Sequence, residues 1–271
     1  MFDEEYKEPA NKNDVWINTS RWKPTQLEIL RVTYTEGKLS DIVGNINLEE
    51  IVIDQDSERL LLPDINIDIS SVRDMKNIKQ IPFFNRLKQL SKFSDEPPVD
   101  SIAYDLLNYT GFESEYIHYR PKPHLEITWR DHEISSEADY GVFKGLLEDL
   151  FVEYMLIIED KSYKAKVYQN GECQLFGEML LAAHNNLTIT GKGCKIYGII
   201  IRGYFVKFYV CEFSEQYIRN IYNDKLQTIK INPIRYSKNN QLGLSLKSYS
   251  DRQEIVKIMT AIRDQLIIPL L

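Results

Sequence analysis

The amino-acid sequence predicts an α/β or α+β protein, with a central mixed β-sheet flanked by helices and a smaller region ahead of it. Three stretches carry that expectation. Met155-Leu156-Ile157-Ile158 is apolar at every position, as a strand covered on both faces requires, and too short for a helix of its own. Ile196–Ile201 and Tyr204–Val210 are rich in β-branched and aromatic residues and flank Arg202-Gly203, which reads as a hairpin. Ile255, Ile258, Met259, Ile262 and Leu266 recur at helical spacing, a stripe suited to packing on a core.

The remaining elements follow in chain order. Residues 1–22 are polar and aromatic, with Asn11–Asp14 reading as a loosely ordered leader that docks through Trp16 and Trp22. Alternating apolar positions predict short strands over 42–48 and 60–69, and 84–90 reads as a helix. The polar break Ser94–Pro98 then divides an N-terminal region, 1–95, from a main unit, 96–271. A helix over 100–107 ends near Gly111, and Ser136–Phe143 alternates as a strand. Gln174–Ala183 is helical, with small Gly177, Ala182 and Ala183 allowing a close approach to the sheet and Asn185-Asn186 as its stop. Ser250–Gln253 has a capping-box pattern that opens the last helix. Repeats and low-complexity tracts are absent, and Thr190–Gly193 lacks the spacing of a phosphate-binding loop.

Composition narrows the class. With 271 residues, 43% hydrophobic and 27% charged, the chain is long enough for a large core and is not a disordered sequence. The acidic start Met1–Glu5 has no apolar targeting segment and no run approaches the length of a membrane span, so the expectation is an intracellular protein, cytoplasmic or nuclear, without a membrane partner. Cys173, Cys194 and Cys211 are dispersed and odd in number, which argues against a disulfide framework or a structural zinc site. His118, His124, His132 and His184 show no metal-ligand pairing and read as structural or exposed. A net charge of −7 disfavours non-specific coating of nucleic acid. Lys161, Lys164, Lys166, Lys192, Lys195 and Lys207 nevertheless leave room for a local basic rim; scattered solvated lysines would look the same.

Chemistry concentrates around the apolar strand, which runs directly into Glu159-Asp160-Lys161. Because residues alternate along a strand, Glu159 and Lys161 share one face and Asp160 takes the other. Twenty residues upstream, Asp139 follows Glu137, close enough for a hairpin to bring it beside Glu159. Carboxylates gathered near a lysine suit Mg2+ or Mn2+, hard ions that take oxygen ligands. On the helix, Gln174, Glu178 and Leu181 form one stripe whose polar members would face the site. Glu-x-Lys also occurs at exposed strand ends, and a helix with solvated Gln174 and Glu178 would fit the same pattern.

In this order, Asp139, then Glu159-Asp160-Lys161 closing a strand, then Gln174 on a helix, the chain resembles the PD-(D/E)xK nuclease superfamily over roughly residues 100–215. Asp139-Tyr140-Gly141-Val142-Phe143, Ile157–Ser162, Gln174–Ala183 and Ile196–Gly203 are further similar to nuclease-like domains of fungal and oomycete effector or transposon-associated proteins. The proline that names the family is missing before Asp139. The resemblance implies a restriction-endonuclease-like core with Asp139 and Glu159 as metal ligands and Asp160 lending its backbone carbonyl; Glu137, two residues before Asp139, is a reserve ligand on the reading of the residues themselves. The resemblance also implies Lys161 as the catalytic lysine and Gln174 as the helix residue that orients water or backbone.

The function expected on this reading is a metal-dependent endonuclease that cleaves phosphodiester bonds with Mg2+ or Mn2+, with DNA preferred over RNA as in most of the family. Two alternatives stand beside it. One is a catalytically silent nuclease-like module that binds a protein partner as effector or scaffold, which the acidic surface favours. The other is an RNA endonuclease of the cap-snatching kind, for which His118 or His132 would supply an added ligand.

Overall fold

The computed structural model describes residues 17–61, 81–92, 97–129, 132–145, 152–161, 168–223, 229–238 and 242–267. The expectations for Trp16, for most of the predicted strand 60–69, for Lys164 and Lys166 and for the break at 94–96 lie wholly or partly outside these residues. The fold is mixed α/β, with a large mixed sheet between helical layers.

The first half supplies helices α1 (Pro24–Ile29), α2 (Leu39–Val43), α3 (Ile81–Lys92) and α4 (Pro97–Tyr109), with the short strand β1 (Thr35–Glu36) between α1 and α2. Strands β2 (Ile117–Pro121), β3 (His124–Trp129), β4 (His132–Glu137), β5 (Tyr140–Lys144) and β6 (Glu153–Lys161) follow, and then the long helix α5 (Tyr168–Thr190). The chain continues through the hairpin β7 (Cys194–Arg202) and β8 (Phe205–Phe213), helix α6 (Glu215–Tyr222), strands β9 (Ile234–Tyr236) and β10 (Leu244–Ser245), and helix α7 (Tyr249–Ile267). The eight-stranded sheet has the order β1-β9-β8-β7-β6-β5-β2, with β10 pairing β8. Strands β5 and β6 form the expected antiparallel hairpin, and β6 runs parallel to β7 through the α5 crossover. The β3–β4 hairpin is a separate two-stranded sheet.

Burial explains why β6 is apolar at consecutive positions. Leu156 and Ile158 enter one core with residues of α2, α3, α4 and α7, while Ile157 enters the other with residues of α5, α6 and the β3–β4 hairpin. Both faces are covered, so both must be apolar. Helix α5 lies close on the sheet at Gly198 of β7, where an added Cβ would meet Met179 Sδ at 2.8 Å and Leu175 Cδ2 at 3.0 Å. Gly177 has a different use from the one its sequence suggests. It receives the N-terminal turn rather than the sheet, since a Cβ there would meet Thr19 Cγ2 at 2.7 Å and the buried Trp22 ring at 3.0 Å.

Four local expectations are corrected. Over 42–48 the chain forms the end of α2 and a turn instead of a strand: Asp41 Oδ2 accepts from the Lys38 N–H at 2.7 Å at its start, and Gly44, at φ +66°, stops the helix. The adjacent Ile42 and Val43 are both buried, which a helix inside two contacting layers allows and a half-exposed strand does not. The strand expected over 136–143 breaks at Ala138-Asp139, so that Glu137 closes β4 in the small sheet while Tyr140 opens β5 in the large one.

Helix α5 does not stop at Asn185-Asn186 but continues to Thr190, with Gly191 at φ +71° beyond its end. Asn186 is buried there because its amide does backbone work, accepting from the Tyr154 N–H at 2.8 Å and donating to the Tyr154 carbonyl at 2.6 Å. Those groups lie beside the register shift between Val142 and Phe143, where the β5–β6 ladder is irregular. Finally, the cap of α7 sits two residues earlier than its motif suggests: Ser248 Oγ accepts from the Asp251 N–H at 3.3 Å. The apolar stripe of that helix is buried as expected.

Candidate functional site

The end of β6 is where the two cores meet polar groups. Glu159 points to the α5 side, where it is 1% exposed. Its Oε1 meets the Lys161 Nζ two residues along the same strand face, whereas Oε2 has no hydrogen-bond partner. Across from it, Glu178 of α5 is fully buried. Glu178 Oε1 accepts from Ser136 Oγ and from Gln174 Nε2, each at 3.0 Å, and its Oε2 is also unpartnered. Thr19 Oγ1 donates to Ser136 Oγ, so the N-terminal turn ends a polar chain leading to Glu178.

Asp139 lies between β4 and β5, at the open end of the β5–β6 ladder. Its Oδ2 accepts the Asp160 backbone N–H at 2.7 Å. Its own carbonyl accepts from the Lys122 N–H at 2.9 Å. Lys122, held at φ +49° in the turn between β2 and β3, brings its Nζ to 3.8 Å from Asp139 Oδ1 and 3.9 Å from Glu137 Oε1. A side chain with a Cβ adopts that left-handed backbone only where surrounding contacts hold it. Glu137 itself is more than half exposed on the small sheet, where Lys122 is the cation that faces it.

The electrostatics follow from burial. Desolvation raises Glu159 well above the usual carboxylate range, reinforced by the neighbouring charges of Glu178 and Asp139 and opposed by Lys161. Burial likewise raises Asp139, against the hydrogen bond from Asp160 and the charge of Lys161. Glu178 is pushed up to about 7 by burial, its hydrogen bonds from Gln174 and Ser136 pulling the other way. For Lys161, burial works downward, but Glu159, Asp139 and Glu178 outweigh it and the ammonium is held above its ordinary value. A side chain so held is charged at neutral pH and acts as a donor.

The side chain of Asp160 takes the opposite face of β6. It is 2% exposed, its pKa is pushed up to about 10 by burial and by the acids Asp100 and Asp139, and its Oδ2 has no hydrogen-bond partner. One carboxylate oxygen each from Asp100, Asp139 and Asp160 lies within 4.8 Å of the other two.

The structure therefore gathers Asp139, Glu159, Lys161 and Gln174, with Gln174 acting on Glu178 rather than on the strand residues directly. Glu178, Asp100, Ser136, Thr19 and Lys122 carry no assigned role in the sequence reading. The polar stripe of the helix was the signal for Glu178, and the remainder arrive from distant parts of the chain. His118 lies at the other end of the β2–β5 ladder, opposite Phe143, with its Nδ1 2.8 Å from Glu113 Oε1. The side chain of His132 lies outside the described residues. Of the expected lysine rim, Lys207 is instead buried beside Glu172, at 3.6 Å. The three cysteines are free, with Cys173 and Cys211 buried. No helix among the described residues is long and apolar enough to cross a membrane. No family model and no curated protein sequence matches the chain.

Proposed function

We propose that this protein is a metal-dependent endonuclease of PD-(D/E)xK type, with Asp139, Glu159 and Glu178 around the ion and Lys161 beside them. One observation carries the reading. Glu159 and Glu178 are both fully buried, the charge of Glu178 adds to the cost of ionising Glu159, and Oε2 of each has no hydrogen-bond partner. Burying a charge in this way costs several kcal/mol unless something compensates it. Hard divalent cations take oxygen ligands of this kind, and a bound Mg2+ or Mn2+ would offset that cost.

When bound, such an ion supplies Lewis-acid polarisation of a phosphate and lowers the pKa of a water. The chain's own residues do the rest. Glu159 anchors the Lys161 ammonium at the strand end, where the lysine, about a quarter exposed, can meet a phosphate oxygen or an attacking water. Its raised pKa makes it a hydrogen-bond donor to developing negative charge rather than a base. Gln174 and Ser136 hold one oxygen of Glu178 and so aim the other. The hydrogen bond from Asp160 fixes the rotamer of Asp139 in the same manner.

DNA is the proposed substrate, in keeping with the family resembled, and an intracellular location accompanies it. The test is single-turnover cleavage of a linear duplex and of a single strand with Mn2+, comparing the wild-type chain with Asp139→Asn. Metal-dependent cutting that the substitution abolishes supports the reading. A wild-type chain that melts cooperatively yet cuts neither substrate sinks it and leaves a silent, partner-binding module, the reading that the net charge of −7 favours.

A further inference from the structure

Strand β6 presents acids to both faces of the sheet, and the carboxylate of Asp160, on the α4 side, has no part in the mechanism above. There Asp160 meets Asp100, from the first turn of α4, and Asp139, the three contributing oxygens that all lie within 4.8 Å of one another. Asp160 is 2% exposed and its Oδ2 has no hydrogen-bond partner, so a buried oxygen with open valence belongs to the group. The groups facing the trio are few. The Tyr140 hydroxyl is committed to the Asp100 backbone carbonyl at 3.3 Å, Asp160 shares a side-chain hydrogen bond with Asp100, Lys122 pairs with Asp139 Oδ1 at 3.8 Å, and Lys161, paired with Glu159 on the other face, acts on Asp139 and Asp160 through its charge alone. Three carboxyl groups thus face one another with one ion pair, from the exposed Lys122 to Asp139, on their side among the described residues.

We propose that Asp100, Asp139 and Asp160 hold a second hard divalent cation, of the Mg2+, Mn2+ or Ca2+ class, on the face of β6 opposite Lys161. Carboxylate oxygens at this spacing suit ligand distances of about 2.1 to 2.5 Å to a common ion, and such ions keep waters in their remaining positions. Asp100 is only half-buried and opens the group to solvent, so those waters have a place and the ion a path in. The ion would join the first turn of α4 to the ends of β5 and β6, with Asp139 shared between this site and the one around Glu159. The proposal does not rest on the nuclease reading, because the Asp160 carboxylate and Asp100 lie on the face of β6 away from Glu159 and Glu178. The rival occupant of the same space is a proton shared between Asp160 and Asp100.

Mn2+ titration followed by electron paramagnetic resonance separates these cases, with a thermal melt of each metal-free variant to confirm folding. The wild-type chain is expected to bind a pair of Mn2+ ions whose spectrum shows magnetic coupling. Asp100→Asn, a change at a half-exposed position, is expected to lose one equivalent and the coupling while keeping the equivalent that Glu159→Gln removes. Asp160→Asn should do the same. Wild-type stoichiometry and coupling in both Asn variants would overturn the proposal. So would a wild-type chain binding a single ion that only Glu159→Gln removes, a result that leaves the nuclease reading standing. A single ion removed by Asp100→Asn and untouched by Glu159→Gln would support this site and sink the other.

Discussion

The backbone N–H of Asp160 donates to Asp139 Oδ2 at 2.7 Å, across the open end of the β5–β6 hairpin. That bond ties Asp139 to the strand whose two faces carry Glu159 and the Asp160 carboxylate. Asp139 thereby receives a fixed orientation from the strand that carries Glu159 and Lys161, instead of from its own neighbours in the chain. Removing its carboxylate should therefore disturb more than a ligand. Asp139→Ala is expected to abolish Mn2+ binding measured by calorimetry and also to lower the melting temperature, because the buried Asp160 N–H loses its acceptor at a cost of about 1–3 kcal/mol. Unchanged Mn2+ binding would remove Asp139 from any metal centre.

Lys161 separates a catalytic from a structural role. Lys161→Ala should lower single-turnover cleavage about 10²-fold, the usual contribution of a positioned proton-transfer or donor group, with Mn2+ affinity largely retained. The metal-free melt reads the other role, since Glu159 is buried and the Lys161 ammonium is the cation that its Oε1 meets. A sharp fall in the melting point with no cleavage in either protein would assign Lys161 to the Glu159 ion pair alone.

Glu178 sets a pH dependence whose sign is fixed. Its pKa is raised from 4.5 to about 7, so the folded state favours the protonated acid. The stability this confers is complete below about pH 4.5 and is lost as pH rises through about 7. In EDTA, the wild-type melting temperature should therefore fall between pH 5 and 7.5 more steeply than that of Glu178→Gln, which keeps a neutral side chain throughout, and saturating Mn2+ should restore the wild-type value at the upper pH. Parallel curves for the two proteins would show that Glu178 is ionised in the fold.

Gly177 connects the N-terminal turn to the site. Gly177→Ala places a methyl group 2.7 Å from Thr19 Cγ2, so Thr19 must move and with it the hydroxyl that donates to Ser136. The expected cost is about 1–3 kcal/mol in a denaturant melt, the range for overpacked interiors. Weaker Mn2+ binding should accompany it. An Ala variant as stable as wild type would mean that the 17–22 turn packs more loosely on α5 than its geometry indicates.

Much of this arrangement is legible along the chain because it is local. The apolar run of β6, the hairpin around Arg202-Gly203 and the stripe of α7 depend on neighbours within a few residues, and alternation alone assigns Glu159 and Lys161 to a common face and Asp160 to the other. Gln174 and Glu178, one helical turn apart, are equally visible as a pair, but periodicity cannot say which sits deeper. The structure buries Glu178 and makes Gln174 its donor. Asp100, Lys122 and Thr19 reach the site through sheet order and layer packing, relations between segments far apart for which a single sequence carries no spacing signal. The apolar alternation over 42–48 misleads for a related reason: a short helix wedged into a core buries consecutive residues, and that burial comes from its surroundings rather than from its own period.

The amide of Asn186 has a mechanical consequence for the site. By bonding both backbone groups of Tyr154, it clamps the start of β6 to the C-terminal half of α5, the helix that two turns earlier presents Glu178 to the far end of the same strand. Strand and helix are thus fastened at one end and meet across the acids at the other, like the two arms of a pair of tweezers. The clamp sets, from the far end, how the helix lies along the strand where the two acids meet. The Tyr154 amide should accordingly rank among the slowest in hydrogen exchange, although it lies beside a bulge, a place where ladders ordinarily open first.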